Sequence, residues 1–251
     1  PENEIHNMPL VRACDDQGQP VSVSLRILDR DMLAIVWVLK VGTVNLYLLD
    51  TEIPSNPPEF RQITWRLYGG DKHIRLQQEL LLGMGGFKAL CKLGYEPEVC
   101  HMNEGHAAFL SLARVGYLIR EKGFDENTAV ELVSRSNIFT THTPVPAGNE
   151  TFDVGMLRPY LEALQPDFKV DIDRVLSWGR PPFQLHANEL SMTILGMRMS
   201  RYSNGVSRLH GEVARKMWNG LWPNHPADEI PIDHITNGVH VASWIAVTTR
   251  D

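Results

Sequence analysis

A chain of 251 residues that is 43% hydrophobic and 22% charged has the size and composition of a globular protein folded around one main core. Its formal net charge of −6 disfavours nucleic acid or an anionic membrane as the main partner, because both require clustered Lys and Arg. An uncharged or weakly charged ligand fits better. The longest apolar run, at 32–39, is too short to cross a bilayer, and three unpatterned cysteines favour a reducing compartment, so we expect a cytoplasmic protein.

The first sixty residues predict a β-rich region. Three runs have the alternation or the β-branched composition of strands, and they lie at 21–28, 32–39 and 44–49. Short polar connections between them are typical of an antiparallel meander. Three prolines then predict a loop at 51–60. From residue 61 the apolar positions follow a helical period, which predicts a long helix with its apolar face between 76 and 90 and its end near Gly94.

Strand and helix patterns alternate after Gly94. In chain order the predicted elements are a strand at 99–102, helices at 107–120 and 126–135, a strand at 137–141, helices at 156–164, 171–177, 187–199 and 208–218, and a strand at 230–235. This alternation predicts an α/β fold with a mostly parallel sheet. Asn204-Gly205 predicts a turn before the helix at 208–218, and Ser207 is the expected N-cap of that helix.

Two polar turns follow predicted strands directly. Residues 103–106 follow the strand at 99–102, and His142 ends the strand at 137–141. Parallel strands end at one edge of an open sheet, where ligands bind, so we expect Glu104, His106 and His142 to share a crevice. A helix N-terminus disfavours a cationic imidazole, which predicts a neutral His106.

Structural interpretations of these turns remain open. Asn103 has the residue type of a helix N-cap, and His142 has the position of a hydrogen-bonded histidine at a strand end. A zinc pair on a helix needs histidines four apart, whereas His101 and His106 are five apart, so we expect no metal site. Nucleophile-elbow and Walker motifs are absent from the sequence. A retaining glycosidase needs two carboxylates across a cleft, and only Glu104 is well placed.

Several segments together resemble signature blocks of the α-glucan phosphorylases, the glycogen and maltodextrin phosphorylase family, in its shorter prokaryotic type. They are CHMNEGHAAF at 100–109, FTTHTPVPAG at 139–148, LLDT at 48–51, RLYGGD at 66–71, RLQQE at 75–79, SNGVSRLHGE at 203–212 and ITNGV at 235–239. The blocks follow the family's order and extend over nearly the whole chain.

The resemblance implies a glycosyltransferase-B fold, in which two Rossmann-like domains enclose the active site. This chain would be a fragment of the N-terminal, glucan-side domain, with a β-meander and loop at 1–60 and an α/β layer at 61–251. The implied reaction is retaining phosphorolysis of α-1,4-glucans by inorganic phosphate to give glucose 1-phosphate. The pyridoxal phosphate that the family uses would be bound by the absent second domain, and we expect no cofactor in this chain.

The resemblance also implies roles for particular residues. His142 would bind the 6-hydroxyl of the glucosyl unit, with its backbone carbonyl near the anomeric carbon. Asn237 would help to bind the same sugar. Glu104 and His106, together with Asn103, would line the glucan side of the cleft.

Two other functions compete with this one: a non-catalytic carbohydrate-binding or structural domain, and a glucan synthase that uses a nucleotide sugar. The sequence departs from the family at Asn149-Glu150, where relatives often have His-Asp. We expect the isolated chain to be inactive and able to self-associate, since it would expose a surface that its partner domain covers.

Overall fold

The computed structural model describes residues 7–66, 69–145, 148–182, 188–240 and 245. Its strands are β1 (Val11–Arg12), β2 (Ser22–Ile27), β3 (Arg30–Val41), β4 (Val44–Asp50), β5 (Cys100–Asn103), β6 (Asn137–Thr141), β7 (Thr151–Asp153), β8 (Glu189–Ser191), β9 (Tyr202–Gly205) and β10 (Ile232–His234). Its α-helices are α1 (Pro58–Arg61), α2 (Lys72–Leu80), α3 (Gly86–Lys92), α4 (Leu110–Lys122), α5 (Glu126–Ser136), α6 (Val154–Phe168), α7 (Ile172–Gly179), α8 (Met192–Arg198) and α9 (Arg208–Trp218). Within the motifs and predicted elements, Leu67, Tyr68, Pro146, Ala147 and Ala187 lie outside the described residues.

The β-rich start is an antiparallel sheet, as the alternation predicted. Strand β3 pairs with β2 through its first half and with β4 through its second half, and β1 adds a short pairing at Val11. Val23, Leu25 and Ile27 of β2 are buried while the residues between them are not, so this strand presents one apolar face. That face packs on helices α3 and α6.

The predicted parallel sheet is confirmed. Its strand order is β10-β9-β6-β5, and every neighbouring pair is parallel. The residues of β5 alternate between buried and exposed, so this strand presents one covered face. On one face Met102 and Phe139 pack with residues of α8 and α9. The close approach of α8 depends on Gly196, because a Cβ there would lie 2.5 Å from the Phe139 ring.

The long helix predicted around 76–90 is continuous but contains a wider turn. Helices α2 and α3 are joined by a π-helical segment, Leu81–Gly85. At Gly83 a Cβ atom would lie 2.6 Å from the backbone nitrogen of Leu110, so glycine allows this turn to touch the start of α4. Gly83 therefore serves packing between helices.

Several predicted elements need correction. The helix predicted at 187–199 is wrong at its start, because Glu189–Ser191 forms β8 and pairs antiparallel with β7. Helix α6 begins at Val154, before the predicted Met156, with Asp153 as its N-cap. A short helix, α1, interrupts the loop predicted at 51–60. Pairing between segments about 40 residues apart overrides the local helical pattern in β8, as tertiary context commonly does.

The turn predicted at Asn204-Gly205 is also wrong. Both residues belong to β9, which lies between β6 and β10 and is hydrogen-bonded on both sides. A Cβ on Gly205 would lie 2.9 Å from the backbone nitrogen of Gly211, so glycine is needed here for close packing rather than for a turn. The N-cap prediction for Ser207 is confirmed, since its hydroxyl accepts from the His210 N–H at 3.1 Å.

Candidate functional site

The segments that follow the four parallel strands meet at one edge of the sheet. The Glu104 N–H after β5 donates to the Thr140 carbonyl of β6 at 2.8 Å. After β10, the Ile235 N–H donates to the Gly205 carbonyl at 2.9 Å, and the Asn237 N–H donates to the Val206 carbonyl at 3.1 Å. These bonds extend the parallel pairing one step beyond each strand. The edge is thus a row of adjacent polar loops at the carboxyl ends of the strands, which is where open α/β sheets bind ligands.

Glu104 links two of these loops. Its side chain is buried, and its Oε1 atom accepts hydrogen bonds from the N–H groups of His142 and Thr143, the second at 2.7 Å. The hydroxyls of Thr143 and Thr141 donate to the same oxygen at 3.0 and 3.3 Å. The other oxygen, Oε2, accepts from the Gly105 N–H at 3.2 Å. The carboxylate therefore fixes the chain at the point where β6 ends.

His142 itself is exposed at this edge, immediately after β6. Only its backbone N–H is used in the bond to Glu104. The structure therefore brings Glu104 and His142 together, as the strand-end pattern predicted. The contact joins the side chain of Glu104 to the main chain of His142. The imidazole of His142 remains on the surface.

His106 lies on the side of the edge that faces helix α2. It belongs to a 3₁₀ turn, Gly105–Ala107, and its Nδ1 atom lies 3.9 Å from Oε1 of Glu79. Burial lowers the pKa of His106 from its ordinary value, and the nearby Arg75 guanidinium lowers it further. A depressed pKa favours the neutral imidazole, in the direction that its position predicted, although burial rather than a helix terminus is the main cause.

A partly buried ionic cluster next to His106 was not predicted from the sequence. The Arg75 guanidinium donates to Glu79 at 2.9 Å and to Glu150 at 3.4 Å, and Lys72 also donates to Glu150. Burial raises the pKa of Glu79 to about 8, against the opposing effect of Arg75. The cluster joins α2 to the loop that follows His142. One signal was visible: a Glu four residues after an Arg, placed between the apolar positions of a helix.

Glu79, His106 and His101 also line a mainly apolar cavity of about 610 Å³ beside α2 and α4. His101 is on β5, where its Nε2 atom lies 2.7 Å from the Thr140 hydroxyl. That contact engages one imidazole nitrogen of His101 within the sheet. His101 and His106 therefore have different surroundings, and among the described residues no group of three His, Cys, Asp or Glu side chains is arranged to hold a metal ion.

Asn103 is not a helix N-cap. It is the exposed last residue of β5, and Glu104 occupies the cap position of the 3₁₀ turn that follows. Helix α4 begins only at Leu110, after Phe109. The extra turn forms because Glu104 has a positive φ of 69°, which redirects the chain after the strand.

Asn237 lies three residues beyond β10 and is exposed. Its backbone N–H donates to the Val206 carbonyl, so its position relative to β9 is defined.

Asn149 belongs to the Asn149-Glu150 pair at which the sequence departs from the family. Its side-chain oxygen accepts a hydrogen bond from the Thr193 hydroxyl at 2.9 Å, which attaches the loop after His142 to α8. In the described part of the chain, no helix has the length and apolar character of a membrane span.

No protein-family profile matches the chain. Curated proteins do match it. The chain is 40% identical over 258 residues to the glycogen phosphorylase of Mycobacterium tuberculosis, 40% over 249 residues to the maltodextrin phosphorylase of Thermococcus litoralis, and 34% over 249 residues to the glycogen phosphorylase of Aquifex aeolicus. These alignments include 98%, 98% and 99% of the chain and 30%, 28% and 35% of the three relatives. The chain thus spans about a third of the length of the curated relatives it matches.

Proposed function

The chain is homologous to a segment of the glycogen and maltodextrin phosphorylases, as its motifs predicted, and from this premise we propose that it supplies the glucan-binding half of an α-glucan phosphorylase active site. The parent enzyme, which is the full-length protein that contains this segment, phosphorolyses α-1,4-glucans with retention to glucose 1-phosphate in the cytoplasm. The chain is part of the N-terminal domain of a glycosyltransferase-B fold. Residues 1–60 form its meander and loop, and 61–251 form its α/β layer.

One observation carries this proposal: the polar loops after the four parallel strands lie side by side, and Glu104 binds the backbone of His142. The side chains exposed at the carboxyl ends of the strands are suited to binding a sugar. His142, Asn103 and Asn237 are exposed amide and imidazole groups, which donate and accept hydrogen bonds to hydroxyls. His106 is held towards its neutral form. Such a surface orients a neutral polyhydroxyl substrate.

In the proposed complex, the His142 imidazole binds the glucosyl 6-hydroxyl and Asn237 binds the same sugar. The His142 carbonyl faces the anomeric carbon, where an oxocarbenium-like transition state develops positive charge. His106 and Asn103 lie along the glucan. A direct contact between Glu104 and glucan remains a prediction from the resemblance.

Pyridoxal phosphate is the cofactor implied for the parent enzyme, and it is held by a lysine as a Schiff base. Lys72 is paired with Glu150, Lys88 with Asp167 and Lys122 with Glu96, and Lys92 donates to the Ser22 carbonyl. A Schiff-base lysine must be available to the cofactor and surrounded by phosphate-binding groups. We therefore assign the cofactor to the parent enzyme's other domain and none of its chemistry to these residues.

The test is release of glucose 1-phosphate from maltoheptaose and inorganic phosphate by the purified parent enzyme. We expect release that depends on phosphate and on added or retained pyridoxal phosphate. The same enzyme is then given ADP-glucose or UDP-glucose with maltoheptaose. Chain extension from a nucleotide sugar, without phosphorolysis, would identify a glucan synthase instead. Binding of maltoheptaose with neither reaction would identify a carbohydrate-binding protein.

A further inference from the structure

We infer that Glu104 is a positioning residue: its carboxylate orients and polarises the peptide group between His142 and Thr143, so that the His142 carbonyl points out into the crevice. The catalytic meaning of this role rests on the proposed function. The bonding itself does not, because it is a property of the folded chain.

The direction of the carbonyl follows from peptide geometry. The C=O of His142 and the N–H of Thr143 belong to the same planar, trans peptide group and point in opposite directions. The N–H of Thr143 points at Oε1 of Glu104, 2.7 Å away. Because Glu104 is buried beneath the loop, the His142 carbonyl is directed away from the protein interior.

The carboxylate also strengthens that carbonyl as an acceptor. A peptide whose N–H binds an anion is polarised, so its oxygen becomes more negative. Two consecutive N–H groups, of His142 and Thr143, point at the same Oε1 atom. A carbonyl prepared in this way stabilises a neighbouring carbon on which positive charge develops, without any rearrangement during the reaction.

Glu104 has little capacity left for a sugar hydroxyl. An ionised carboxylate offers about four acceptor sites. Within the described structure, four donors converge on Oε1 and one on Oε2. Direct glucan binding by Oε1 would break one of these internal bonds. The residue is therefore better placed to act through His142 than to bind substrate itself.

The backbone of Glu104 supports the same conclusion. Its φ of 69° is in the left-handed region, which is unfavourable for a residue with a Cβ. Glycine would adopt this conformation freely. A glutamate is found here instead. The unusual φ turns the Glu104 side chain from β5 across to the end of β6. The backbone N–H of Glu104 also donates to the Thr140 carbonyl of β6, at 2.8 Å.

The first test is spectroscopic and uses the 251-residue chain labelled with ¹⁵N and ¹³C. In the unmodified chain we expect downfield amide protons for His142 and Thr143 and a downfield carbonyl ¹³C for His142. Glu104→Gln should move all three signals upfield, and Glu104→Gly, which removes the acceptor but relieves the backbone, should move them further. The matched control is Glu98→Gln, at an exposed position before the other end of β5. Unchanged signals at 142 and 143 in Glu104→Gln would overturn the inference.

The second test is kinetic and uses the parent enzyme. We expect kcat to fall about tenfold in Glu104→Gln, which keeps an acceptor oxygen, and about a hundredfold in Glu104→Ala, with KM for glucan changing less than about twofold. A raised KM with unchanged kcat would mean that Glu104 binds glucan directly, and would overturn the inference. If the unmodified parent shows no phosphorolysis, the proposed function fails, while the spectra still decide whether Glu104 holds the peptide.

Discussion

Gly116 of helix α4 lies directly against the main chain of Asp167 near the end of α6. A Cβ atom at Gly116 would be 2.0 Å from the Asp167 carbonyl oxygen and 2.6 Å from the Cα of Phe168. Because these are backbone atoms, no side-chain rotation can relieve the overlap. We expect Gly116→Ala to lower the free energy of unfolding by about 2–3 kcal/mol, measured by urea denaturation.

Gly86→Ala is the matched control. Gly86 has helical dihedral angles, and a Cβ there would meet nothing within 4 Å. The same substitution should therefore stabilise the chain by roughly 0.5–1 kcal/mol, since alanine is the better helix former. Equal effects of the two substitutions would contradict the packing argument for Gly116.

The second prediction concerns pH. Burial raises the pKa of Glu79 to about 8 from an ordinary value of 4.5. The folded chain holds this proton more tightly than the unfolded chain does. The resulting stabilisation is complete below about pH 4.5 and is lost as the pH rises to about 8. At about 1.4 kcal/mol per pKa unit, its upper limit is about 5 kcal/mol.

Glu79→Gln tests this, since it keeps the neutral shape of the protonated acid. We expect the free energy of unfolding to fall less between pH 5 and pH 8 in the variant than in the unmodified chain, in urea titrations at each pH. The lowered pKa of His106 makes its contribution to the free energy of unfolding increase with pH, opposite to that of Glu79. The pH profile of the variant is therefore compared with that of the unmodified chain. Exposed Glu98→Gln is the control. Parallel pH profiles for Glu79→Gln and the unmodified chain would refute the assignment.

Glu150→Gln should change the pKa of Glu79 although Glu79 itself is not substituted. The negative charge of Glu150 raises the pKa of Glu79, and both carboxylates share the Arg75 guanidinium. Removing the Glu150 charge should lower the Glu79 pKa, and the pH range of lost stability should move to lower pH. The readout is the side-chain carboxyl ¹³C titration of Glu79. An unmoved or raised midpoint would show that the charge of Glu150 does not affect the titration of Glu79.

His142→Ala in the parent enzyme should lower kcat/KM for phosphorolysis by roughly ten- to a hundredfold. The substitution removes one sugar hydrogen bond in a desolvated cleft, which typically costs about 1–3 kcal/mol. Asn237→Ala should have an effect of the same order. His225→Ala, at an exposed position in the loop before β10, is the control and should be neutral. Normal kinetics in a folded His142→Ala enzyme would remove His142 from the site.

The isolated chain should release no glucose 1-phosphate from maltoheptaose and phosphate, even with added pyridoxal phosphate. The proposal assigns the cofactor lysine and the phosphate-binding cations to another domain. An open half-cleft also leaves sugar hydrogen bonds exposed to water, so glucan affinity should be about millimolar by calorimetry. Clear turnover by the chain would contradict the assignment of these groups elsewhere. Sedimentation at rising concentration tests the expected self-association.

Elements with a strong local signal were predictable from sequence. Strand β6 and helix α9 have the predicted bounds, 137–141 and 208–218, because a β-branched run and an amphipathic period with a Ser207 cap are local properties. The order of polar turns at strand ends also placed Glu104 and His142 at one edge. The motif blocks identified the homologous proteins for the same reason: they are short contiguous patterns.

Only the tertiary structure decided what these residues do to one another. Residues 189–191 became a strand because β7 lay beside them, and Asn204-Gly205 became a strand because β6 and β10 flanked it. The hydrogen bond between Glu104 and the His142 backbone joins residues 38 positions apart. It depends on the positive φ of Glu104, which no sequence pattern predicted. The raised pKa of Glu79 likewise requires its burial and the nearby charge of Glu150, which together outweigh the opposing effect of Arg75. The local sequence determines individual helices and strands. Backbone pairing, burial and the coupling of charges arise only when segments that are distant in the sequence come into contact.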